Sequence, residues 1–208
     1  FRLDNKFKKI SSDVVNEIKD PKKTLNILSH KFNFKFKKSD LKNFKRFKVI
    51  AIIGMGGSIL GIKAIHNFLN DKINKKVYFF DNLNEKQIKK FKDKEKVSKV
   101  LFIIISKSGD TIETLSNTFS LNILKKNSKN IILISERKNN FLFNLSKKLN
   151  LLYIEHNSYI GGRYSVLSEV GIVPAYLMGI NVLKLRSRIF DILKKRNLFF
   201  LKQSTTKL

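Results

Sequence analysis

Five short apolar runs recur down the chain, at 49–53, 77–80, 100–105, 131–134 and 151–154, each rich in β-branched or aromatic residues. Segments of helical length lie between them, at 58–69, 85–91, 111–124 and 140–148. Nothing else in the sequence constrains the fold as tightly. Strands that alternate with helices are βαβ units, and βαβ units build a parallel sheet with helices over both faces. The expectation is an α/β fold with a five-stranded parallel sheet. Ahead of it, 11–19, 22–30 and 39–47 read as short helices separated by Lys-rich breaks, which makes 1–46 an N-terminal helical extension. Residues 165–198 read as two more helices around Gly179. The organisation is then 1–46, 47–180 and 181–208, with no internal repeat.

At 208 residues and 42% hydrophobic composition the chain can bury a sizeable core. Its longest apolar stretch, 49–62, is interrupted by Gly54, Gly56, Gly57 and Ser58 and falls short of the roughly 18 residues a spanning helix needs. No membrane segment and no signal peptide are expected. Cysteine is absent, which excludes disulfides, thiolate metal sites and a Cys nucleophile and fits a reducing compartment; the reading is cytoplasmic. The formal net charge of +27 calls for a polyanionic partner, yet only 7 of the 43 basic residues are Arg. Base-reading and phosphate-forking surfaces favour Arg, and here Lys is scattered from Lys6 to Lys207. The basic surface is read as solvated, with no nucleic-acid partner, and its field as an aid to drawing in a small phosphorylated substrate.

Ligands of open parallel sheets bind beyond the carboxyl ends of the strands, where the strand order reverses. Two loops have the composition for it. Ile53-Gly-Met-Gly-Gly-Ser-Ile-Leu-Gly61 leaves the first strand, and its glycines permit close backbone approach at a helix N-terminus. Ser106-Lys-Ser-Gly-Asp-Thr111 leaves the third; three hydroxyls, a turn glycine and a helix N-terminus make a neutral cradle for a phosphate. Each loop could also be plain strand-to-helix chemistry, a tight turn in one case and an N-cap in the other. A dinucleotide fold competes, because Gly54-x-Gly56 follows a strand and Asp81 ends the next. Position 59, however, is Ile59 rather than the third glycine.

A third stretch, Tyr159-Ile-Gly-Gly-Arg-Tyr-Ser-Val-Leu-Ser-Glu-Val-Gly-Ile-Val-Pro174, follows the fifth strand, and Gly161-Gly162 would let Arg163 project from a tight turn into the same crevice. Gly56-Gly57-Ser58-x-Leu60-Gly61, Ser106-Lys-Ser-Gly-x-Thr-x-Glu-Thr114 and Gly162-Arg-x-Ser-x-x-Ser-x-Val-Gly171 together resemble the glucose-6-phosphate isomerase family of the sugar-isomerase (SIS) domain superfamily. The likeness covers about residues 45 to 180. It implies a SIS-type three-layer αβα fold over 47–180 and reversible isomerisation of glucose 6-phosphate to fructose 6-phosphate through a cis-enediolate. Ser106, Ser108 and Thr111 would hold the phosphate, with Lys107 and Gly109 beside them; Gly57 and Ser58 would contact the sugar; Arg163 would stabilise the charge on the enediolate. No cofactor and no metal are implied, and the full-length enzyme would be a homodimer.

Two departures accompany the resemblance. Asp110 stands where many relatives have threonine, and a carboxylate beside a phosphate would repel it, so Asp110 should face away. In the family the general-base glutamate lies several tens of residues beyond the Gly-Gly-Arg motif, and the ring-opening histidine and lysine lie further still. His30, His66 and His156 match none of these positions, and Glu155 with His156 reads as a strand-end surface pair. With a Phe1 start and no base, the chain reads as a fragment, inactive alone, whose 181–208 helix leads toward a missing second SIS domain. The alternative is a stand-alone SIS module that binds a sugar phosphate.

Overall fold

A computed structural model describes the backbone of residues 2–187 and the side chains from residue 5 onward. The chain divides into two compact units, Phe1–Asn33 with Asn181–Leu208, and Phe34–Ile180.

In the first unit, α1 (Arg2–Lys19) begins well ahead of the expected position 11. Residues 2–19 contain neither Gly nor Pro, so once a turn forms nothing stops propagation toward the N-terminus. Pro21 ends it, because the residue before a proline is driven out of the helical region. The expected second helix is only a 3-10 turn, Thr24–Leu28. Buried Asn26 ties it back, donating from Nδ2 to the Ile18 carbonyl at 2.8 Å, one of the acceptors that the end of α1 leaves open. Arg186 donates to the carbonyls of Ile27 (2.7 Å) and Ser29 (3.0 Å). It comes from α8 (Val182–Ser187); the rest of the helix expected over 181–208 lies outside the described residues.

The second unit opens with α2 (Lys38–Leu41) and a 3-10 turn over Lys42–Arg46. It then alternates β1 (Val49–Gly54), α3 (Leu60–Phe68), β2 (Lys76–Phe80), α4 (Glu85–Lys94), β3 (Val100–Ile105), α5 (Ile112–Ser120), β4 (Ile131–Ser135), α6 (Phe141–Leu149), β5 (Leu152–Glu155) and α7 (Glu169–Leu177). All five strands are parallel, in the order β2-β1-β3-β4-β5. The α/β architecture with a five-stranded parallel sheet is as expected. Every residue of β3 and β4 is buried, while the edge strands β2 and β5 are half-buried, which is why the central strands are nearly unbroken Ile, Leu, Val and Phe. One face of the sheet, Ala51, Ile53, Phe102, Ile104, Ile131 and Leu133, packs under Ile88 and Phe91 of α4, Leu115 of α5 and Leu142 of α6. A right-handed β1-to-β2 crossover puts α3 on the opposite face, and α7 packs against α3.

This strand order sets the crevice. The chain leaves β1 toward one edge and β3 toward the other, so their exit loops diverge above the carboxyl ends of adjacent strands. It also removes the dinucleotide reading. Asp81, at the end of β2, is taken up in an ion pair with Lys63 of α3 at 2.5 Å.

Candidate functional site

The loop after β3 folds around its own hydroxyls. Ser106 Oγ lies 2.8 Å from Thr111 Oγ1 and 3.4 Å from Ser108 Oγ, and Ser108 Oγ lies 3.3 Å from Thr111 Oγ1. Gly109 N–H donates to Ser106 Oγ at 3.1 Å, and Asp110 N–H to Ser108 Oγ at 3.2 Å. Thr111 is the N-cap residue of α5, but its side chain does not cap the helix. Among the described residues no side chain accepts from the first-turn N–H groups of α5, which have no intrahelical partner, and the capping explanation of Thr111 is removed. Gly109 sits at φ +80°, where a Cβ would stand 2.0 Å from Asn140 Oδ1, so the turn needs glycine on both conformational and steric grounds.

The other two loops meet edge to edge beside this cradle. A Cβ on Gly57 would lie 2.3 Å from the Gly162 carbonyl carbon, so the loop after β1 and the Gly-Gly-Arg turn touch backbone to backbone. Ser165 Oγ locks the contact with hydrogen bonds to the carbonyls of Gly162 (2.7 Å) and Gly57 (3.2 Å). Between the three loops lies a cavity of about 350 Å³ lined by Met55, Gly57, Ser58, Lys107, Ser108, Thr111, Glu136, Lys138 and Gly162. Gly57, Ser58, Lys107, Ser108 and Thr111 are thus gathered at one place. Ser106 (1% exposed) is buried and orders the loop from within, and Gly109 is buried too.

Arg163 differs from expectation. It is exposed and is not among the lining residues. Its neighbour Gly162, packed against Gly57, is the residue of the motif that lines the cavity. No hydrogen bond or ion pair holds its guanidinium among the described residues, so it is free to move. Glu169, six residues further on, is fully buried and accepts from Lys35 N–H at 2.9 Å. Asp110 does face away from the cradle, accepting from Phe141 N–H at 2.7 Å at the start of α6.

Two lining residues escape sequence reasoning, Glu136 and Lys138 in the loop after β4. Lys107 Nζ stands 3.4 Å and Lys138 Nζ 2.9 Å from the Glu136 carboxylate, and Lys107 Nζ also donates to the Ser158 carbonyl at 2.9 Å. Burial pushes the Glu136 carboxyl up, but the two ammonium groups outweigh it and hold the group below its usual value. The only signal for these residues was position, beyond the carboxyl end of a central strand.

His156 corrects another expectation. It is 1% exposed rather than at the surface, and burial lowers its pKa to about 4. Nε2 lies 3.2 Å from the Ile160 carbonyl and Nδ1 has no partner; the neutral ring donates through Nε2. Glu155 is half-buried and faces Arg137 at 4.0 Å.

A family model described as phosphoglucose isomerase matches residues 3–186. The chain is 36% identical over 151 residues to a "Probable glucose-6-phosphate isomerase" of Methanococcus maripaludis, covering 68% of this chain and 34% of that protein. It is 34% identical over 166 residues to the glucose-6-phosphate isomerase of Campylobacter jejuni, covering 76% and 39%. The chain thus spans between about a quarter and two fifths of the length of the curated relatives it matches. A crystal structure of a hypothetical protein from Thermus thermophilus superposes with a TM-score of 0.75 at 20% identity, over 99% of this chain and 52% of that one. A glucose-6-phosphate isomerase from Chlamydia trachomatis superposes with a TM-score of 0.58 at 21% identity, over 75% and 30%. At these identities the structural likeness bears on the fold.

Proposed function

Since the chain belongs to the phosphoglucose isomerase family, whose model matches residues 3–186, we propose that its cavity binds the phosphate and sugar of glucose 6-phosphate or fructose 6-phosphate and contributes this half-site to their interconversion. The observation that carries the reading is the hydroxyl cradle, with Ser108 and Thr111 open to the cavity above an α5 N-terminus that no side chain caps. Such a group of neutral donors can surround a dianion without an ionised partner. In this reading Ser106 braces the cradle, Lys107 and the Gly109 turn flank the phosphate, and Gly57 and Ser58 meet the sugar. Arg163 swings in from the rim to face the enediolate oxygens.

The proton-transfer step needs a base of suitable pKa. Glu136 is the carboxylate among the lining residues, and its two lysine neighbours make it a weak base. We therefore assign the base, and the ring-opening groups, to the part of the family's length that this chain does not span. Residues 47–180 are on this view the sugar-phosphate-binding domain, 1–46 a helical extension, and 181–208 the lead into a second domain of a cytoplasmic, homodimeric enzyme.

The test is calorimetry with fructose 6-phosphate. Ser108→Ala and Thr111→Ala should each weaken binding by roughly 1 to 3 kcal/mol, the scale of a hydrogen bond to a charged group. Unchanged affinity in both would remove the assignment.

A further inference from the structure

Lys107 is the one cation within the Ser106–Thr111 loop, and its ammonium is committed to the Ser158 carbonyl and to Glu136. The ammonium that remains on the cavity wall is that of Lys138, which lies outside every motif considered above. We propose that Lys138 is an anion-binding residue of this cavity and that Glu136 is the positioning residue that parks it, releasing it to the phosphate of an incoming ligand. The proposal rests on the reading of the hydroxyl cradle as a phosphate site.

Glu136 is the fixed member of the pair. Its side chain is 11% exposed, its N–H donates to the Lys107 carbonyl at 3.1 Å, and its carbonyl accepts from buried Asn140 Nδ2 at 2.8 Å. Lys138 is the movable one, with a side chain 53% exposed and Glu136 as its single side-chain partner among the described residues, at 2.9 Å. Its four-carbon stem can carry the ammonium across the mouth of the cavity without disturbing the backbone. Because two ammonium groups share one carboxylate, the cluster is positive overall and favours an anion. A dianionic phosphate offers more charge and more acceptors than the carboxylate, so Lys138 gains by transferring. Glu136 meanwhile repels the same phosphate, and a singly charged competitor lacks the charge to take Lys138 from it. The pair thus selects for a doubly charged ligand.

The experiment titrates the 208-residue protein with inorganic phosphate at pH 7.5 and two salt concentrations. Lys138→Met should weaken binding about three- to fivefold and flatten its salt dependence, while Lys138→Arg keeps both. Glu136→Gln should tighten binding by a similar factor. Ser108→Ala serves as the control for the cradle. If Ser108→Ala weakens binding and Lys138→Met does not, the role of Lys138 is overturned while the cradle stands. If neither changes it, both readings fall. Weaker binding in Glu136→Gln would overturn Glu136 as a competitor and make it a plain support of the loop.

Discussion

Arg163 stands on the rim of the cavity rather than among its lining residues. It is exposed, its guanidinium has no hydrogen-bond or ion-pair partner among the described residues, and it adjoins Gly162, which lines the cavity. An arginine held in an ion pair would have to break it before serving a substrate; this one only has to rotate. Its proposed partner is the enediolate, so its contribution should be larger for a planar, negatively charged mimic than for the ground-state sugar. With a five-carbon aldonic acid phosphate as the mimic, Arg163→Ala should weaken binding by about tenfold or more. Fructose 6-phosphate binding should change by less than about threefold. Equal losses for the two ligands would make Arg163 an ordinary ground-state contact.

α6 illustrates how a helix start can shape a loop that lies thirty residues earlier. Asn140 caps it, accepting from Phe143 N–H at 2.9 Å, and the same side chain fills the space beside Gly109 where a Cβ would otherwise go. Asp110 satisfies a second first-turn N–H, that of Phe141, and its negative charge is favourable at a helix N-terminus. The departure from threonine at 110 thus serves α6 and not the cradle. Asn140 is 3% exposed and Asp110 is at the surface. Asn140→Ala should therefore cost about 1 to 2 kcal/mol, since it removes the cap to Phe143 and the buried hydrogen bond to the Glu136 carbonyl together, and Asp110→Ala about 0.5 kcal/mol. Urea denaturation of both variants checks the order; a larger loss at Asp110 would show that the charge, not the buried cap, holds the helix start.

Two outcomes concern the protein as one thermodynamic system. His156 is neutral in the fold, with a pKa of about 4, whereas in the unfolded chain it titrates near 6.5. Between those values the unfolded state binds the extra proton, so His156 contributes fully above about pH 6.5 and its contribution is lost as pH falls toward 4. The difference is worth about 3 kcal/mol. Glu169 works the other way: burial raises its pKa, so its contribution is lost as pH rises through that raised value and opposes the slope of His156. Replacing His156 isolates its share between about pH 6.5 and 4. Over that window urea midpoints should fall more steeply with falling pH in the natural protein than in His156→Gln; parallel curves would mean that another group sets the slope. The second outcome is catalytic. In deuterated water with glucose 6-phosphate, C2 exchange followed by NMR should not exceed the protein-free rate, because the cavity's carboxylate is held ionised between two lysines. Exchange abolished by Glu136→Gln would make that residue a base.

The five strands, the four helices between them and the three hydroxyls of 106–111 were legible in the residues themselves. Strand periodicity, β-branching and turn chemistry act over a few bonds, and the backbone obeys them locally. The N-terminal segment was less legible: the helix expected from 11 reaches back over 2–10, which carries no residue that stops it. Asp110 turning to Phe141, His156 losing its water and Lys107 reaching Glu136 could not be read the same way. Each depends on which distant segment comes within a few ångströms. Desolvation and Coulomb interaction follow distance in space, which only the packing of β4, β5 and their loops supplies.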